Sequence, residues 1–192
     1  MNITIPPLQS SFLSCEKDVE LILKKLFVEN RTHSETLKKL LVIPNKDCLS
    51  NNTNEKYREK ISQMSVAKLI EEEYIVLKPK IRFKEHEAIK SYIALSFDNF
   101  VPNNTNPEFR DCMLHFDIIC HTDCWDLGDY KMRPLKIAGY IDGILNKTRL
   151  SGIGTFQFAG CSELILNEEL SGYTLSYWAI HGGDDKATIN EQ

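Results

Sequence analysis

The sequence has no long apolar run. None of its segments approaches the ~20 consecutive apolar residues that a membrane-spanning helix needs. The first seven residues, MNITIPP, have neither a basic start nor an apolar stretch, so they lack the pattern of a secretory signal peptide. We therefore expect a protein with no membrane partner that is made in a cytoplasm, where its six cysteines remain thiols.

An excess of positive charge is also missing. The 192 residues include 23 basic and 27 acidic side chains, which gives a formal charge of −4. Duplex binding needs clustered cations that displace counterions, so this balance argues against nucleic acid as the main partner. The one dense basic cluster, residues 78–84, is more typical of a strand edge whose lysines discourage unwanted pairing.

The cysteines and histidines lack the complete spacing of a structural metal site. The richest group of possible ligands comprises Cys112, His115, Cys120, His121 and Cys124. Its single C-x₃-C element has no second Cys or His pair after it, unlike structural zinc sites. Strand alternation also places Cys112 and His115 on opposite faces. The sequence therefore predicts buried thiols and no metal ligand.

Signatures of catalysis are absent as well. The chain has no GxSxG nucleophile elbow, and no cysteine lies in a catalytic-type motif. Four weaker candidates remain. Asp123/Asp126 and Asp184/Asp185 are acidic pairs, and His181 lies at the end of a predicted strand. The glycine pair in residues 152–154 is too short to cradle a phosphate. We expect no catalytic or cofactor-binding residue and no cofactor, so the protein is predicted not to be an enzyme.

The N-terminal third has the apolar spacing of helices. Residues 1–11 contain Pro6-Pro7 and are predicted to be an extended arm. Helices are predicted over residues 14–28 with Ser14 as N-cap, from Ser34 to Pro44, and over residues 55–73.

The rest of the chain alternates with a period near two, which indicates strands. The predicted strands cover residues 74–77, 89–97, 112–121, 153–158 and 172–181, and residues 98–107 are predicted to be a loop. One helix, over residues 134–146, has Pro134 in its first turn. Its Gly139 and Gly143 are predicted to let it lie close to the sheet.

This order predicts an α+β protein, with a mostly antiparallel sheet packed against a helix and preceded by an N-terminal helical region. We divide the chain into the arm and helical region at residues 1–73, an α+β domain at residues 74–183 and a polar tail at residues 184–192.

Aromatic side chains are concentrated in the second half of the chain. Tyr173 and Tyr177 are predicted to face one way from the last strand and Trp178 the other. A sheet buried on both faces needs a second cover, either the helix at 134–146 or another subunit. The pattern leaves both alternatives open.

Four stretches in the second half resemble tailed-bacteriophage tail-terminator and neck proteins, which form rings at the head–tail junction. They are SFDNF at residues 96–100, HFDIICHTDCWD at 115–126, MRPLKIAGYIDGILN at 132–146 and LSYWAIHG at 175–182. The likeness covers roughly residues 75–183 as a pattern of strand, strand, helix, strand, strand, and the N-terminal helices are longer than in the plain family pattern.

This resemblance implies a structural virion protein, assembled in the host cytoplasm, that closes into a homo-oligomeric ring, usually a hexamer. Such a ring terminates the tail tube and joins it to the head connector, so its expected partners are its own copies, the tail tube protein and the connector. Nucleic acid would at most pass through the lumen. The resemblance carries over no catalytic residue.

Two other classes of function compete with this reading. A cytoplasmic regulatory or small-ligand-binding module would be a monomer or dimer with a defined pocket. A zinc- or thiol-dependent enzyme would hold metal or one cysteine of abnormal reactivity.

Overall fold

The computed structural model describes residues 11–77, 89–104, 109–150 and 153–182. The helices are α1 (Ser11–Lys24), which continues as a π-helical turn (Lys25–Glu29), α2 (Arg31–Val42), α3 (Asn51–Gln63), α4 (Val66–Glu71) and α5 (Arg133–Leu145). The strands are β1 (Ile75–Val76), β2 (Ser91–Pro102), β3 (Phe109–His121), β4 (Arg149–Leu150), β5 (Ile153–Thr155), β6 (Gln157–Ile165) and β7 (Leu170–Gly182). Among these residues, no helix is both long and apolar enough to cross a membrane. The predicted α+β class is confirmed.

Side-chain caps determine where the N-terminal helices begin. The side chain of Asn30 accepts a hydrogen bond from the backbone N–H of His33, so α2 starts one turn before the predicted Ser34. Ser65 caps α4 in the same way, which splits the predicted helix at residues 55–73 into α3 and α4. The predicted N-cap at Ser14 is also wrong, because Ser14 already lies inside α1.

The described strands form one seven-stranded sheet. Its order is β1-β2-β3-β7-β5-β4, and β6 pairs with β7 beside β5. All pairs are antiparallel except β1 with β2, which confirms a mostly antiparallel sheet. The β3–β7 pairing is the longest, with thirteen consecutive residue partners.

The largest differences from the predicted strands are in β2 and β6. β2 continues through Asp98 to Pro102, within the predicted loop, by means of a register irregularity between Asp98 and Val101. The predicted strand at 153–158 is instead two strands, since β5 ends at Thr155 and β6 runs on to Ile165.

The described helices pack on one face of the sheet, which we call the inner face. Every second residue of β3 from Cys112 to Cys120 points inward and is fully buried. These side chains share one hydrophobic core with the N-terminal helices and α5. The opposite face, called the outer face below, carries the alternate residues of each strand, as the alternation of β3 predicted.

Helix α5 covers the centre of the inner face. Ile137, Ile141 and Leu145 are fully buried against the sheet, whereas Leu135 is 40% exposed. The prediction for Gly139 is wrong, because a Cβ added there would have no neighbour within 4 Å. The same holds for Gly143, so neither glycine allows a close approach to the sheet.

A buried arginine joins the first turn of α5 to the N-terminal helices. Arg133 is completely buried, and its five N–H groups all donate to backbone carbonyls. Nε donates to Cys124 at 2.5 Å and Nη1 to Leu40 and Ile43 at 2.6 and 2.8 Å. Nη2 donates to the carbonyls of Pro44 and Asn45 at 3.1 and 2.7 Å. These bonds hold the end of α2 against the turn that follows β3.

We expect Arg133→Met to lower the free energy of unfolding by about 4 kcal/mol or more, because it leaves several buried carbonyls without donors. Urea unfolding followed by circular dichroism measures this loss. Lys131→Met, which removes an exposed cation two residues away, is the matched control and should change stability by less than about 0.5 kcal/mol. Equal effects of the two substitutions would contradict the structural role of Arg133.

We also expect Gly172→Ala to destabilise the sheet by about 3 kcal/mol. A Cβ on Gly172 would lie 1.7 Å from the carbonyl oxygen of Ile118, so β3 and β7 would have to separate. Gly160→Ala in β6 is the control, because a Cβ there meets nothing within 4 Å. Thermal unfolding of both variants tests this prediction, which fails if they melt alike.

Candidate functional site

The outer face carries a row of polar side chains across its central strands. His115 of β3 lies opposite Ser96 of β2 and Ser176 of β7. Its Nδ1 is 2.8 Å from the Ser176 hydroxyl oxygen. Its Nε2 is 3.1 Å from Asp98 Oδ1, although the pair does not have hydrogen-bond geometry. The imidazole therefore lies between a hydroxyl and a carboxylate.

The rows on either side of His115 differ in character. On one side Thr174 donates a hydrogen bond of 2.6 Å to Asp117. On the other side Trp178 lies opposite Met113 and is 42% exposed. The opposite orientations predicted for Tyr177 and Trp178 are confirmed, and Tyr177 is fully buried on the inner face.

Serine, histidine and aspartate together suggest nucleophilic catalysis, but the surroundings of Ser176 do not support it. An acyl-transfer site needs N–H donors aimed at a developing oxyanion. Ser176 lies in the middle of β7, which is paired with β3 on one side and β6 on the other. Its neighbouring backbone donors are therefore part of the sheet ladder, and the row is best described as a polar surface.

The five Cys and His residues that the sequence analysis considered as ligands do not come together. Cys112 and Cys120 point into the core, while His115 lies on the outer face. His121 lies at the end of β3, where its Nδ1 accepts a hydrogen bond from the backbone N–H of Asp123. Within the described residues, no group of three or more Cys, His, Asp or Glu is arranged to hold a metal ion.

The buried thiols behave as small apolar groups. Burial raises the pKa of Cys112 to about 12, and burial also raises the pKa of Cys120 to about 12. Cys124 lies beneath Ser91, with 3.6 Å between sulfur and hydroxyl oxygen. Desolvation raises the pKa of Cys48 despite the nearby Arg133 charge. The raised pKa values of Cys48, Cys112 and Cys120 do not favour a thiolate nucleophile.

The acidic pair Asp123/Asp126 is not a general acid–base pair. Asp126 binds Lys46 at 2.9 Å and accepts a hydrogen bond from the backbone N–H of Gly128 at 2.7 Å. The Lys46 hydrogen bond is the main reason that the pKa of Asp126 lies below its usual value. Asp126 therefore closes a turn. Residues 78–84, Gly152 and the pair Asp184/Asp185 lie outside the described residues, as does the side chain of His181.

A groove of about 1000 Å³ lies among the N-terminal helices. Phe27, Val28 and Ile61 contribute apolar surface, and its other lining residues are mostly polar or charged. One of its cations, Arg31, is highly exposed and pairs with Glu35 at 3.2 Å. A small-molecule pocket is usually enclosed and mainly apolar, so this groove is a weak candidate for one.

Strand β6 is the most exposed apolar part of the sheet among the described residues. Phe158 is 46% exposed, Ile165 is 68% exposed and Leu166, just after the strand, is 43% exposed. The described helices do not extend over this strand, whose pairing is with β7 alone. The predicted strand at residues 153–158 stops at Phe158, so the sequence pattern does not reveal that β6 continues to Ile165.

We expect iodoacetamide at pH 8 to alkylate the exposed Cys161 of the folded protein, and the half-buried Cys15 more slowly. The buried thiols should react only after unfolding, because burial excludes the reagent and also raises the pKa of Cys112 and Cys120. Mass spectrometry of the alkylated peptides measures each rate. Fast alkylation of a buried cysteine in the folded state would favour the thiol-enzyme alternative.

A protein-family model matches the chain over most of its length. No curated protein matches the chain. The model of the YomW family, a phage-derived protein family, matches residues 34–178, which is about three quarters of the chain. This range includes the end of α2 that Arg133 binds, helix α5 and most of the sheet. The chain therefore belongs to the YomW family and is of phage-associated origin.

Proposed function

We propose that the chain is a structural virion protein whose copies form a ring at the phage head–tail junction, where the ring terminates the tail tube and joins it to the head connector. The observation that carries this proposal is the exposure of β6, a nine-residue strand at the edge of the sheet with large apolar side chains in solvent. Such an edge is a template for pairing with another chain.

The phage-derived family and the absence of an assembled catalytic group among the described residues support the same proposal. The polar row around His115 lacks an oxyanion site, and burial raises the pKa of the Cys112 thiol, which disfavours its thiolate. The outer face, with Trp178 half-exposed and hydrogen-bonded polar pairs, offers a second surface for neighbouring subunits.

The unlike surfaces of the subunit are compatible with a ring. Contacts between two different patches of identical subunits close into a ring when their rotation returns to the start. The helices lie on one side of the sheet and the polar row on the other, so a subunit has distinct patches to present. We take the hexamer implied by the family resemblance as the expected stoichiometry in the particle.

The groove among the N-terminal helices gives the small-ligand alternative a candidate pocket. Desolvation lowers the pKa of Lys38 in its wall, with Glu35 acting in the opposite direction. This groove is open and lined by both polar and apolar side chains, so we expect it to suit a partner protein better than a small molecule.

We expect deletion of this reading frame from a phage that encodes it to give filled heads and separate tails. Electron microscopy of the lysate measures the fraction of joined particles, and the wild-type gene supplied in trans should restore them. Quantitative mass spectrometry of purified wild-type particles should find about six copies of the chain per particle.

Complementation by Ser176→Ala and His115→Ala separates a structural role from a catalytic one. A structural subunit should retain function with either substitution, because the polar row makes no bond that holds the core. Normal particles after the deletion, or particles without the chain, would overturn the proposed function. Loss of joined particles with well-folded Ser176→Ala would instead favour a hydrolase.

A further inference from the structure

The edges of the sheet differ in how well they are protected from pairing. Natural edge strands are usually short, or carry charge, proline or bulges. β6 has nine residues, no lysine and no proline, and Glu163 is its single charged residue. Its one bulge, between Phe158 and Gly160, lies near one end and leaves residues 160–165 regular.

The other edges formed by the described residues are protected. β1 and β4 contain two residues each, and both residues of β1 are buried. Past the end of β1, the free edge of the sheet is formed by β2 itself. This part of β2 has a register irregularity between Asp98 and Val101, a positive φ of 52° at Asn99, and a proline at Pro102. A head-to-tail extension of the sheet through β2 would meet all of these obstacles, whereas residues 160–165 of β6 contain none of them.

We propose that β6 pairs with β6 of a second copy of this chain, antiparallel and across a two-fold axis at Ser162. This choice of axis pairs the regular stretch, so Gly160 lies opposite Leu164 and Cys161 opposite Glu163 of the second copy. An axis at Glu163 would oppose two like charges. An axis at Cys161 would bring the bulge opposite Glu163.

The pairing satisfies the backbone groups on the open side of β6 and brings the two exposed apolar strands together. A two-fold contact is closed, so it stops at two copies and gives a particle with two equal ends. A junction ring has unlike ends, because one faces the head and the other the tail. We therefore assign the β6 pair to the free subunit before assembly. That assignment depends on the proposed function, whereas the pairing itself does not.

Two lysine substitutions on adjacent exposed residues test the pair and its register. Ser162→Lys places two like charges opposite each other on the axis, whereas Cys161→Lys places each new charge opposite Glu163 of the second copy. Light scattering across a dilution series should give the wild type a mass of about 44 kDa, twice the 22.1 kDa of one chain. We expect Ser162→Lys to raise the dissociation constant at least tenfold, and Cys161→Lys to leave it unchanged or lower it.

Both side chains are exposed, so folding should be unaffected, and thermal unfolding of the dilute variants checks this. A wild type that remains at 22.1 kDa at every concentration overturns the pairing. Equal weakening by both variants, or stronger weakening by Cys161→Lys, overturns it as well, since the register would be wrong. A heavier wild-type particle supports the pairing only if Ser162→Lys, and not Cys161→Lys, at least halves its mass.

Hydrogen exchange gives a second measurement on the unmodified chain. Amides on the open side of β6 should exchange more slowly as the protein concentration rises, while those of β3, paired on both sides, should not change. Exchange in β6 that is independent of concentration, in a sample that light scattering shows to be dimeric, would assign the dimer contact to another surface. Neither result bears on whether the phage needs the chain, so the two proposals can fail separately.

Discussion

The fold depends on how one buried cation is satisfied. A guanidinium has five N–H donors in a fixed fork, and each needs an acceptor when water is excluded. The end of α2 supplies the complementary need, because the last carbonyls of a helix have no partner within it. Arg133 meets both requirements with carbonyls from Leu40 to Asn45 and from Cys124. The negative end of the α2 dipole also favours a positive charge there.

This arrangement determines which surfaces remain available. Since Arg133 is the first residue of α5, its bonds place α5 and α2 side by side on the inner face, where His33 and Tyr140 are in edge contact at 5.7 Å. The helical layer covers β2, β3 and β7 and ends before β6. The outer face is left with polar pairs such as Asp117 with Thr174. Of the surfaces of the sheet, the β6 edge and the outer face are therefore the ones left for a neighbouring molecule.

Much of this fold follows from local pattern, and the parts that do not have identifiable physical reasons. Alternation along β3 predicts its buried side correctly, because side-chain direction in a strand depends on position alone. The buried position of Arg133 cannot be recognised from the sequence. An arginine before a proline is usually exposed, and the five carbonyls that accept hydrogen bonds from Arg133 lie up to 93 residues away. β6 was cut short because Gly160 and Ser162 interrupt the apolar pattern and only pairing with β7 makes the segment a strand. The prediction that Cys112 and His115 lie on opposite faces is confirmed, because that argument too needs only alternation.

The exposed apolar edge of β6 carries a risk of aggregation. A bare apolar edge promotes aggregation, and proteins that act alone protect such edges with charge or proline, as β2 of this chain does with Asp98 and Pro102. Keeping one edge bare while another is protected indicates that the bare edge is used. In a free subunit before assembly, pairing between two copies covers this edge. The pairing can be reversed by dilution or by a partner that binds the edge more tightly. The same strand can thus prevent uncontrolled association in the free protein and become available at assembly.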